Sequence, residues 1–183
     1  DNKTLGNIDP NEIINFHAIK KGIKNYLCIL NSDGRFKKVL FDEDMIKSNR
    51  SFAITKLKNN IKIIDSFIYK TEKNLIVLTS IGRILKFNLS NAFLPPTTKQ
   101  SQGLILAKLL PTEKIVSCCP YENGDNIYLV SRKGKIFCLN SKAIYYSNEY
   151  SLGYLNEKTQ LKNDSFFKIM TCNHYLDIET NKN

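Results

Sequence analysis

The sequence predicts an all-β fold: a propeller-like array of four-stranded units, three of them full and a fourth partial. Three observations predict it. A hairpin signature occurs three times, with turn glycines Gly34, Gly82 and Gly134 standing 48 and 52 residues apart. The apolar runs around each glycine are about five to seven residues long and rich in Ile, Val, Leu, Phe and Tyr, which suits strands. Each signature also follows a similar flank, so the whole unit repeats and not the turn alone.

The three hairpins are "NYLCILNSDGRFKKVLF" (Asn25 to Phe41), "NLIVLTSIGRILKFNL" (Asn74 to Leu89) and "NIYLVSRKGKIFCLN" (Asn126 to Asn140). Each opens on an asparagine, runs through an apolar stretch and turns over four polar positions ending in glycine. Glycine there supplies the positive φ that a hairpin loop of this length needs. The run before the glycine is apolar on both faces, as in a strand buried between packed sheets. The run after it is mixed, which predicts a strand nearer an edge. Upstream, "EIINFHAIKKGIKN", "IKIIDSFIYKTEKN" and "EKIVSCCPYENGDN" each give a strand and a charged loop. "QGLILAKLLPTEKIVS" has an echo in "LGYLNEKTQLKNDSFFKIM", so a fourth unit begins near Leu152. "NAFL" and "SKAIYY" are long enough for a single helical turn. One blade cannot cover both faces of its sheet, so neighbours must stack. The blades are placed near residues 1–50, 51–99 and 100–150, with a partial blade at 151–183, in one domain.

Hydrophobic residues make up 42% and charged residues 24%, a globular composition. The net charge of +10, from 27 Lys and Arg against 17 Asp and Glu, fits a polyanionic partner. No apolar run approaches the roughly 18 residues of a bilayer span, so no membrane partner is expected. The chain opens without Met and reads as a piece of a longer protein. Five cysteines with no CxxC spacing predict reduced, buried thiols in a cytosolic-type compartment. His17 and His174 are lone and far apart. Asp125 and the acidic run Asp42, Glu43, Asp44 read as loops or caps. No metal site and no catalytic set is expected.

The second and third units, "NLIVLTSIGRILKFNLSNAF" and "NIYLVSRKGKIFCLNSKAI", with the connecting "QGLILAKLLPTEKIVSCCP", resemble the repeats of the C-terminal domain of the DNA gyrase A subunit, and those of its topoisomerase IV counterpart, most like cyanobacterial or plastid forms. The resemblance covers nearly the whole chain. It implies a β-pinwheel, a propeller-shaped ring whose blades exchange a strand, with duplex DNA bent around a basic rim. It implies a non-catalytic part of an ATP-dependent type II topoisomerase, an isomerase. The implied partners are the breakage-rejoining domain of the same polypeptide and the ATPase subunit; those other parts use ATP and Mg. No cofactor is expected in this chain. The implied location is the bacterial cytoplasm and nucleoid, or the plastid stroma. The family's glycine-rich basic box is reduced here to "KQSQG" (Lys99 to Gly103). The expectation is therefore DNA bending without strong wrapping.

Aligned on the turn glycine, the next position is basic three times: Arg35, Arg83 and Lys135. Lys38 and Lys86 share the fourth place after it, where the third unit has Cys138. Lys37, Arg132 and Lys133 extend the turns, and Lys99 and Lys142 lie in connecting segments. Together these ten form the expected DNA-binding set, an arc of cations at one height contacting phosphates without reading bases. Phe36, Ile84 and Ile136 are expected to pack. The alternative is a propeller that serves as a protein-interaction scaffold without DNA binding.

Overall fold

The computed structural model describes residues 15–19, 22–41, 45 and 52–172. The chain contributes twelve strands to three sheets among these residues. In order they are β1 (Asn25–Asn31), β2 (Arg35–Phe41), β3 (Ile63–Tyr69), β4 (Asn74–Thr79), β5 (Arg83–Asn88), β6 (Pro96–Thr97), β7 (Leu104–Ile105), β8 (Ile115–Tyr121), β9 (Asn126–Ser131), β10 (Ile136–Asn140), β11 (Tyr154–Leu155) and β12 (Phe166–Cys172). A 3-10 turn at Ser141–Ala143 occupies the start of "SKAIYY"; the Asn140 side chain caps it by accepting from the Lys142 amide.

The three signature hairpins form as predicted: β1 with β2, β4 with β5, and β9 with β10, all antiparallel. Gly34, Gly82 and Gly134 adopt φ of 81°, 94° and 84°, the left-handed region that L side chains avoid. The flanking strand of each following unit then pairs with the first strand of the hairpin. Thus β3 joins β1, β8 joins β4 and β12 joins β9.

The repeats and the sheets do not coincide. β7, from the third repeat, pairs with β2 of the first, and β11 pairs with β5 of the second. The sheets read β3-β1-β2 with β6 and β7 both on β2, then β8-β4-β5-β11, then β12-β9-β10. Among the described residues, the middle sheet alone has the four strands expected of every blade; the others have five and three. The segment after Leu152 supplies β11 and β12, which complete the second and third sheets. β2 and β5 are not edges, because later segments cover them. β10 is an edge among the described residues, as its mixed sequence predicts. Pro96, expected in a stiff loop, lies in a short strand parallel to β2.

The middle sheet explains the continuous apolar run "NLIVLT". Successive strand residues point to opposite faces. Leu75 and Val77 pack with Cys28, Leu30 and Phe36 of the first sheet. Ile76 and Leu78 pack with Ile127, Leu129 and Phe166 of the third. All six residues of β4 are buried. Each fully buried Leu or Ile contributes about 1.5–3 kcal/mol, so this strand ties two cores together.

A β-bulge recurs in all three sheets. Ile64, Val116 and Phe167 are the extra residues, and Asp65, Ser117 and Lys168 follow them in equal register. β8 packs against both β3 and β12, so these positions meet. The Asp65 carboxylate accepts from Ser117 Oγ, the Cys118 amide and Asn15 Nδ2, each at 3.0 Å, and lies 3.9 Å from Lys168 Nζ. This polar centre joins the three sheets. A buried carboxylate needs such partners to stay charged.

Candidate nucleic-acid interface

The strand partners decide which cations remain free. In the first two blades, the arginine after the turn glycine faces inward along the sheet. Arg35 Nε pairs with Asp33 Oδ2 at 3.1 Å, and its Nη1 donates to the Gly103 carbonyl at 3.3 Å. Arg83 Nη1 donates to the Gly153 carbonyl at 3.4 Å. Its Nε stands 3.7 Å from Glu113 Oε1, whose side chain is fully buried. Both arginines therefore latch the incoming β7 and β11 segments. This corrects the expectation that they line a phosphate track.

Lys37, Lys38 and Lys86 also depart from expectation. Their exposures are 2%, 1% and 5%. Lys37 Nζ donates to the carbonyls of Lys99 and Ser101 at 2.9 and 2.8 Å, with Ile54 O and Thr55 Oγ1 at 3.4 Å. The loop "KQSQG" thus cradles a buried ammonium. Lys38 Nζ donates to the Leu89 carbonyl and Asn91 Oδ1 at 2.7 and 3.0 Å, and sits 4.1 Å from the Tyr69 ring centre. Lys86 Nζ lies 4.4 Å from the ring centre of Tyr146 and 5.7 Å from that of Tyr121. Desolvation lowers the pKa of all three. An ammonium committed to carbonyls or aromatic faces inside the protein cannot reach a phosphate. These three leave the candidate set.

The third blade differs. Arg132, Lys133, Lys135 and Lys142 are all exposed. Among the described residues no strand arrives on β10 to engage Lys135 as Gly103 and Gly153 engage the two arginines. Lys99 is half-buried, its ammonium 5.1 Å from the Phe52 ring centre.

The structure adds cations that alignment on the glycine misses. Lys62 and Lys114 stand just before β3 and β8 and are exposed. Each is tied to its hairpin turn. Ser32 N donates to Lys62 O and Lys62 N to Ser32 Oγ; Ser80 N donates to Lys114 O and Lys114 N to Ser80 Oγ. In the third blade Arg132 N donates to Ser165 O at the same place. Lys62, Lys114 and the group Arg132, Lys133, Lys135 therefore mark the turn end of successive blades. The signal was present in "NIKIID" and "PTEKIVS": a lysine directly before the flanking strand in two units.

Other groups are structural. His17 Nε2 contacts Ser66 Oγ at 2.8 Å, and burial lowers its pKa. Asp125 Oδ2 accepts from the Glu122 amide within a turn. His174 and Asp42 to Asp44 lie outside the described residues. Cys28 and Cys118 are buried, but Cys138 and Cys172 are exposed, against the expectation of buried thiols throughout. Among the described residues no three His, Cys, Asp or Glu groups cluster to hold a metal, and no helix is long and apolar enough to cross a membrane.

No family model matches the chain. It is 24% identical over 156 residues to the topoisomerase 4 A-type DNA topoisomerase subunit of Synechocystis sp., covering 80% of this chain and 17% of that protein. The chain therefore spans about one sixth of that relative. The C-terminal domain of DNA topoisomerase IV superposes with a TM-score of 0.68 at 14% identity, over 84% of this chain and 48% of the other. The E. coli ParC C-terminal domain gives 0.57 at 10% identity, over 80% of this chain and 62% of the other. The chain is a β-pinwheel-type array that resembles the C-terminal domains of the gyrase A and topoisomerase IV A subunits.

Proposed function

We propose that this chain is a non-catalytic DNA-binding and DNA-bending domain of a type IIA topoisomerase, from its gyrase A-like polypeptide. The observation that carries the reading is the exposed cationic row at the turn ends of successive blades: Lys62, Lys114, Arg132, Lys133 and Lys135. Similar register in packed, splayed sheets sets these charges along an arc. Duplex DNA carries about one charge per 1.7 Å, so spaced cations can follow its backbone and release counterions. Bending 20–30 base pairs by 40–90° costs roughly 1–6 kcal/mol, which several such contacts offset together. Binding is then backbone-dominated and sequence-tolerant. Lys99 and Lys142 extend the set. The proposed partners are the breakage-rejoining domain and the ATPase subunit; ATP and Mg act on those parts of the assembly.

Salt titration of linear duplex binding tests this. Each phosphate contact adds about 0.9 to the slope of log affinity against log salt. Changing Lys62, Lys114, Arg132, Lys133 and Lys135 together to Gln should cut that slope by roughly 4 and abolish bending read by energy transfer between duplex ends. All five are exposed, so the melting temperature should hold. An unchanged slope, or bending that survives, would refute the assignment.

A further inference from the structure

The first two sheets show what covers the second strand of each hairpin. A short donor segment lies antiparallel to it, with Leu104 opposite Phe36 and Ile105 opposite Arg35. Tyr154 opposite Ile84 and Leu155 opposite Arg83 repeat the register. Each donor places a glycine just before the paired residues. A Cβ on Gly103 would meet Phe36 O at 2.4 Å, and one on Gly153 would meet Ile84 O at 2.7 Å. Both glycines have positive φ, 79° and 68°. The donor chemistry is therefore strict: glycine against a backbone carbonyl, then two residues with apolar side chains. The cation after the turn binds the donor glycine's carbonyl in both cases.

β10 carries the same acceptor features without a donor among the described residues. Gly134 makes the same turn, and Lys135 stands where the two arginines stand. Ile136 is 66% exposed, whereas Phe36 and Ile84, its counterparts, are 2% and 0% exposed. A Cβ on Gly134 would meet nothing within 4 Å, whereas Gly34 and Gly82 are crowded. Donor glycines follow their acceptor arginines by 68 and 70 residues. The same step from Lys135 passes residue 183. Long unpaired edges with outward apolar groups invite strand addition.

We propose that the outer edge of β10 is a docking site for an extended segment from outside residues 1–183, carrying glycine followed by two apolar residues. It adds antiparallel to β10, with the glycine against the Ile136 carbonyl, the next residue opposite Ile136 and the following one opposite Lys135. The Lys135 ammonium receives the glycine carbonyl. The site is independent of the cationic row's role in DNA binding, since the strand is held by backbone pairing and by burial of Ile136.

A labelled peptide with the sequence of Ser101–Lys108, the chain's own first donor, is titrated into the 183-residue chain by fluorescence anisotropy. Saturable binding is expected, with slowed amide exchange over Ile136–Asn140. The same peptide with its glycine changed to alanine should bind at least tenfold more weakly. Ile136→Asp should weaken binding similarly while leaving the melting temperature unchanged, because Ile136 is exposed. Absence of saturable binding, or equal binding of the glycine and alanine peptides, overturns the proposal. So does concentration-dependent dimerisation that protects β10 without peptide, which would make the occupant a second copy.

Discussion

Arg83→Met separates the interior latch from a phosphate contact. Glu113 has a fully buried side chain; its Oε2 accepts from the Leu110 amide at 3.0 Å, and its Oε1 faces Arg83 Nε at 3.7 Å. Oε1 and Nε have no hydrogen-bond partner, so their attraction is coulombic. Removing the guanidinium leaves an uncompensated carboxylate in the interior, which costs about 3–5 kcal/mol. A chain of this size loses about 2–4 °C per kcal/mol, so the melting temperature should fall by roughly 6–20 °C. Pairing the change with Glu113→Gln removes the stranded charge and keeps the acceptor for the Leu110 amide, so the double variant should recover much of the loss. Thermal and urea unfolding of the four proteins measure the coupling directly. If Arg83→Met melts like the parent while its DNA salt slope drops by about 0.9, the side chain contacts phosphate and the latch is wrong.

Two further predictions follow from glycine geometry and from buried thiols. Gly134→Ala adds a side chain in open space and meets only the cost of positive φ, about 1–2 kcal/mol; Gly103→Ala also drives a Cβ into the Phe36 carbonyl, for roughly 2–5 kcal/mol in all. Equal losses in urea unfolding would refute the close approach of β7 to β2. Burial raises the pKa of Cys28 and Cys118 above the ordinary 9.0. The folded state therefore holds protons that the unfolded chain releases, and stability present below pH 9.0 is lost as pH rises. The lowered pKa values of Lys37, Lys38 and Lys86 act in the opposite sense toward pH 10.5. The comparison that isolates the thiols is the slope of stability against pH in the parent and in Cys28→Ala/Cys118→Ala. The variant should lose less, by on the order of 1 kcal/mol per thiol for each pH unit above 9; parallel slopes would sink the argument.

The hairpins were legible because a turn glycine between two short apolar runs is local information. "NLIVLT" announced its burial on both faces for the same reason. The partners of β2 and β5 were not legible. They are two-residue strands about 70 positions away, and two residues carry no period. The lysines misled for a related cause. Lys38 within "RFKKVLF" looks like the polar face of a half-covered strand, and its acceptors, Leu89 O and Asn91 Oδ1, belong to the next repeat. Asp65 gave no sign of its place among three sheets, since the bulge before it is set by pairing. Lys62 and Lys114 were visible in sequence but lay outside the alignment frame centred on the glycine.

Strand donation over such distances also sets a schedule for biosynthesis. Phe36 and Ile84 are made about 70 residues before the segments that cover them. At about 5–20 residues per second, each hairpin waits roughly 4–14 s with its outer edge open. The nascent chain cannot finish one blade before starting the next, so folding proceeds as an overlapping relay. A cut at residue 99, between two repeats by sequence, would remove β7 from the first sheet and both β8 and β11 from the second. For this architecture, the smallest unit that can be excised whole is longer than the repeat that builds it.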